Sequence, residues 1–96
     1  MSLEDPEFDW DDANRDRLAL HNVTPQEAEQ AILDPHAVLL EIQFNEEEER
    51  TKALGITRRG RILVVVFTFH AEAIRPITAY TAEPRLQKLY LAQRAV

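Results

Sequence analysis

Residues 62–69 constrain this chain more than any other stretch, because every side chain from Ile62 to Phe69 is apolar or β-branched. An unbroken run of that kind, eight residues long, is the pattern of a strand covered on both faces. It is far too short to cross a bilayer. Such a strand needs partners on either side, and the flanking sequence supplies them. Val38, Leu40, Ile42 and Phe44 alternate with polar Glu41 and Gln43, which predicts a strand with one apolar face. Arg50, Lys52, Leu54 and Ile56 alternate with Thr51, Ala53, Gly55 and Thr57 in the same way. Asn45 and the acidic residues 46–49 make the connection between these two. The Arg58-Arg59-Gly60-Arg61 segment makes the next, with Gly60 free to take a positive φ. Residues 70–72 turn the chain into a last strand over 74–80, where Pro76 cannot donate to a ladder and so marks an edge or a bulge.

Helices precede the sheet. Asp11 or Asp12 caps a first helix reaching about His21, with Ala13, Leu18 and Leu20 as its apolar positions. Phe8-Asp9-Trp10, just before it, is suited to pair as a short edge strand. Thr24-Pro25-Gln26-Glu27 has the form of a capping box, with Pro25 at the first helical position and Val23 placed to staple onto Ala28. That second helix runs to about Leu33 and is stopped by Asp34-Pro35. Pro84 opens a final helix with Leu86, Leu89, Tyr90 and Ala92 facing inward. The expected fold is α+β: two N-terminal helices packed on a four-stranded antiparallel sheet, with a short C-terminal helix. All 96 residues are one domain's worth of chain.

Composition closes off several kinds of chemistry. There is no cysteine, so neither disulfides nor thiolate metal sites are available, and a reducing compartment is favoured. The acidic start, with Glu4, Asp5 and Glu7, lacks the basic and apolar regions of a signal peptide, so a cytoplasmic location is expected. Residues 1–3 resemble a cloning remnant and are set aside. His21, His36 and His70 have no two-ligand spacing, so no metal is expected. Residues 46–49 lack the spacing of a calcium loop. Two glycines provide no phosphate-cradling loop, and Ser2 is the only serine.

What survives is chemistry that needs no protein nucleophile. In metal-free RNA cleavage the ribose 2′-OH attacks its own phosphate. The protein has only to accept that proton, stabilise the phosphorane and protonate the leaving oxygen. A net charge of −6 argues against a nucleic-acid binder, yet the charge is unevenly spread. Residues 1–48 carry fourteen acids and two bases, residues 49–96 three acids and nine bases. Either the halves neutralise each other, or the C-terminal sheet offers RNA a basic face. Arg50 and Arg75 suit a phosphate, and His21 or Tyr80 suit proton transfer. Lys52, Arg58, Arg59 and Arg61 suit RNA binding. The plainer alternatives are solvated arginines in the turn, a paired Arg75, His21 capping a helix end, and Trp10 as a core anchor.

The pattern as a whole resembles a known family. Phe8-Asp9-Trp10-Asp11, Asn14 and His21-Asn22-Val23-Thr24-Pro25-Gln26-Glu27 are similar to the opening of BrnT-type toxins. The second half continues the likeness through Arg50, Ala53-Leu54-Gly55-Ile56-Thr57, Gly60-Arg61-Ile62-Leu63-Val64-Val65-Val66-Phe67-Thr68 and Ile74-Arg75-Pro76-Ile77-Thr78-Ala79. It covers about residues 8–90. The resemblance implies a RelE-like fold and a translation-inhibiting endoribonuclease of a type II toxin-antitoxin pair. It also implies no cofactor, an RNA substrate and a DNA-binding, BrnA-like antitoxin as partner. A homodimer or a toxin-antitoxin hetero-oligomer is the expected assembly. The chain departs from the family at four places. Tyr80 stands where an arginine is usual, Leu86 for a glutamate, Asn22 for a glycine and Asn14 for a frequent lysine. Those departures keep a second expectation open, a protein-binding relative that has lost cleavage.

Overall fold

The computed structural model describes residues 6–95. Residues 1–3, set aside above, lie outside the described residues, as do Glu4 and Asp5. Two helices come first, α1 (Asp12–Ala19) and α2 (Pro25–Ile32). Four strands follow, β1 (Val38–Phe44), β2 (Glu49–Ile56), β3 (Ile62–His70) and β4 (Ala73–Thr81), and α3 (Pro84–Arg94) ends the chain. The strands form an antiparallel meander in the order β1-β2-β3-β4. The α+β layout expected from the sequence is therefore the one observed.

Both N-terminal helices start where their caps dictate. The Asp11 carboxylate accepts from the Asn14 N–H at 3.0 Å while Asn14 Oδ1 accepts from the Asp11 N–H at 2.8 Å. Thr24 and Glu27 reciprocate in the same way at α2. Helix α1 ends at Ala19, two residues before the expected limit, because the chain turns through Leu20 and His21 into Asn22, whose φ is +56°.

Strand alternation divides the core into two layers. Ala53, Leu63, Val65 and Ala79 face α1 and α2, where they meet Leu18, Val23, Ala28 and Ala31. Leu54, Ile62 and Val64 face the other way, against Tyr90 and Leu86 of α3. Helix α2 lies so close to β2 that a Cβ on Gly55 would fall 2.0 Å from the Ala31 carbonyl oxygen. Tyr90 anchors α3: its hydroxyl donates to Asp34, which also accepts from the Ile56 N–H at 3.0 Å and the His36 N–H at 2.9 Å.

Three expectations need correction. Leu40 is bulged, since Leu39 pairs with Ala53 and Glu41 with Lys52. The bulge reverses the alternation, so Ile42 and Phe44 leave the face of Val38 and Leu40 and stand exposed. Strand β3 is fully covered only over its first half, because no helix reaches Phe69. On α3, Leu89 and Ala92 are exposed and only Leu86 and Tyr90 face inward. The edge expected at Pro76 is real and carries a bulge between the Val66–Thr78 and Phe67–Pro76 pairs. Phe8 bridges to Ile74 in parallel, with Asp9 N–H donating to the Ile74 carbonyl at 2.8 Å, and so covers part of that edge.

Candidate functional site

Helix α3 covers only one end of its face of the sheet, and the uncovered remainder is where the sequence candidates gather. Register places Lys52, Val66 and Thr78 in one cross-strand row and Leu54, Val64 and Tyr80 in the next. Arg50 precedes Lys52 by two positions on β2, and Arg75 pairs with Thr68, which follows Val66 by two on β3. Arg50, Lys52, Arg75 and Tyr80 thus share one face, all half-buried. They do not converge on one point. Tyr80 and Arg75 pair with β3 residues four apart, a backbone separation of about 13 Å.

Two clusters result. At one end the His21 ring lies against Tyr80, with centroids 5.7 Å apart and planes tilted by 54°. Arg61 holds this end together, because its guanidinium donates to the Asn22 carbonyl at 2.6 Å, the His21 carbonyl at 3.2 Å and Thr81 Oγ1 at 2.9 Å. It also pairs with Glu27 at 3.2 Å. Arg61 is thereby spent on protein groups. The Glu27 carboxyl is held below its usual range, first by the Thr24 N–H and then by Arg61.

At the other end Arg75 is gripped by Asp11 at 2.8 Å and Asp9 at 3.4 Å, and His70 Nδ1 lies 3.0 Å from the same Asp9 carboxylate. Asp11 sits below the ordinary carboxylate range, chiefly through the Asn14 N–H with Arg75 adding to it. Arg50 pairs with Glu48 at 2.6 Å. Among the described residues Lys52, Arg58 and Arg59 enter no ion pair. Arg58 and Arg59 are not on this face. They sit in the β2–β3 turn at the far end of β2, beside an open groove of about 570 Å³ lined by Gln26, Gln30 and Asp34.

Asp9, Asp11 and His70 are the site's neighbours that sequence reasoning missed. The aromatic-Asp opening was a signal for the first two, whereas nothing in the sequence tied His70 to Asp9 across 61 positions. Asn14 is buried and donates to the carbonyls of Asp9 and Pro76, both at 2.9 Å, so it locks the N-terminal segment beside β4. Leu86, where a glutamate was expected, packs into the apolar cluster under α3. Among the described residues no group of three potential metal ligands gathers.

The family model of the BrnT ribonuclease toxins of type II toxin-antitoxin systems matches residues 10–85. The chain belongs to the BrnT toxin family. No curated protein matches it. Membership of a BrnT toxin family implies an antitoxin partner. The matched segment contains both clusters of the open face, from Asp11 through Tyr80. It excludes Phe8 and Asp9, so part of Arg75's acidic clamp lies outside it. Among the described residues no helix of this BrnT-family chain is long and apolar enough to cross a membrane.

Proposed function

We propose that this chain is the toxin of a type II pair and acts in the cytoplasm as a metal-independent endoribonuclease on a RelE-like fold, arresting translation by cutting RNA. The observation carrying this reading is the shared open face, which holds Arg50, Lys52, Arg75 and Tyr80 with His21 at its margin. His21 accepts the 2′-OH proton as that oxygen attacks the adjacent phosphorus, with Tyr80 beside it. The Tyr80 hydroxyl gives its proton to the departing 5′-oxygen, leaving a 2′,3′-cyclic phosphate and a 5′-hydroxyl, and the proton held by His21 then returns to Tyr80. Lys52, in the row beside Tyr80, balances charge on the scissile phosphate, and Arg75 and Arg50 grip phosphates further along the strand. The partner is a BrnA-like, DNA-binding antitoxin.

Expression without an antitoxin, following growth and RNA integrity together, tests this. Arrest with RNA cleavage is expected. Tyr80→Phe or His21→Ala should slow cleavage by about 10²-fold or more if that residue moves a proton, and Arg50→Met with Arg75→Met should abolish arrest. Arrest that survives the double arginine change would sink the assignment. One observation favours a second reading, a protein-binding relative without cleavage: both arginines are engaged by carboxylates and Leu86 carries no charge. Healthy growth with intact RNA, from soluble folded protein, selects that reading.

A further inference from the structure

The sheet has two edges, and they are treated differently. Outside β4 the backbone of residues 7–9 is hydrogen-bonded to Ile74. Outside β1 no segment pairs among the described residues. Of the devices that blunt edge strands, β1 lacks proline and lysine and carries a bulge at Leu40 and one charge, Glu41, which leaves Ile42 to Phe44 as an unblocked stretch. The Leu40 bulge also brings Ile42 and Phe44 to the same side as Leu39, the face that α1 and α2 cover elsewhere, where α2 does not reach them. Leu39 is 59% exposed, Ile42 40% and Phe44 76%. Phe69 of β3 adds to that face at 67% exposure, in an edge-on contact with Phe67. An open ladder edge beside a contiguous apolar face is the arrangement that accepts an added strand.

Charge decides what kind of strand. Residues 41–49 contain five glutamates and no base. Glu48 is occupied by Arg50, while Glu41, Glu46, Glu47 and Glu49 surround the edge without a cationic partner among the described residues. A second copy of this chain would set like charge against like. We propose that the β1 edge docks an extended, cationic-amphipathic segment of the antitoxin as a fifth strand. Alternate apolar side chains of that segment lie on Ile42 and Phe44, and the intervening lysines or arginines meet Glu41 and the acidic turn. The identity of the partner rests on the toxin reading above; the chemistry of the docking segment rests on the edge alone.

The first test needs only the purified chain and a capped nine-residue peptide alternating lysine and valine, with a glutamate-valine peptide as control. Amide shift changes confined to β1 and residues 45–49 are expected with the lysine peptide alone. Ile42→Thr with Phe44→Thr, which keeps strand propensity, should weaken binding at least tenfold, as should Glu46→Gln with Glu47→Gln and Glu49→Gln. Equal response to both peptides, shifts at Arg75 and Tyr80 in place of β1, or a dimer in sedimentation that Phe44→Thr dissolves would each overturn the proposal. The second test co-expresses the antitoxin encoded beside the gene. The Ile42→Thr, Phe44→Thr variant should keep arresting growth yet bind that protein at least tenfold more weakly, and unchanged affinity overturns the proposal. A parent that binds the peptide at β1 but never arrests growth would refute the ribonuclease reading and leave the docking edge standing.

Discussion

Asn22 shows how a single backbone angle explains a residue choice. Its φ of +56° lies in the left-handed region, where a Cβ crowds the following carbonyl and only glycine, asparagine or aspartate rests easily. A glycine, the residue the resemblance led one to expect here, would satisfy the same angle, so the departure is conservative in conformational terms. Asn22→Ala should therefore cost about 1 kcal/mol while Asn22→Gly stays close to the parent, measured by urea unfolding. Equal losses in both would show that the Asn22 side chain matters more than its backbone. The same residue lends its carbonyl to Arg61, so the angle also presents the His21 loop to the guanidinium. Arg61 looked like an RNA ligand because a turn rich in arginine is usually solvated or functional. Within the chain it engages Glu27, Thr81 and two carbonyls, which come from three separate places that no local pattern links.

Two contacts between elements carry predictions. Gly55 lets α2 lie directly on β2, and a methyl there would collide with the Ala31 backbone. Gly55→Ala should destabilise by about 1–3 kcal/mol as the helix is pushed away; a melting temperature equal to the parent's would contradict that packing. Tyr90 ties α3 to the turn before β1. Burial and the Asp34 carboxylate push its hydroxyl from 10.0 up to about 12. The unfolded chain thus ionises first, so this contribution is whole below pH 10 and is lost as pH climbs through about 12. Asp34 has the opposite sense. Partial burial opposes ionisation, but the Tyr90 hydroxyl and the N–H groups of His36 and Ile56 outweigh it and hold the carboxyl below 3.8. Its contribution is present above 3.8 and fades as pH falls through the folded value. Tyr90→Phe should lose about 1–2 kcal/mol near neutrality and should flatten the alkaline limb of a stability profile; an unchanged limb would assign that limb to other groups. Element starts were legible because capping boxes and Pro25 are local chemistry. The Leu40 bulge was not legible, since strict alternation reads a strand as uninterrupted and only pairing against β2 reveals the extra residue.

For the whole molecule, the uneven charge resolves in part into neutralisation. Arg75, Arg50 and Arg61 of the basic half each engage a carboxylate of the acidic half, which was one of the two explanations the sequence allowed. The cations on the open face are therefore few. RNA affinity should fall with salt at a slope of about −2 on logarithmic axes, the value for about three phosphates on a single strand. A slope steeper than about −4 would place RNA on a broader basic surface. The sequence could name the residue types of that face because strand period fixes sides. It could not give their spread along the sheet, which depends on the register of three strands. The bond from Asn14 to Pro76 has a consequence in time. A ribosome adding about 5–20 residues per second delivers this donor about 3–12 seconds ahead of its acceptor, 62 positions later. Helix α1 is thus made first and waits for its seat, and a chain released before position 73 has neither the strand that α1 packs on nor the arginine that Asp11 restrains. Synthesis through β4 is what brings the residues of the open face together.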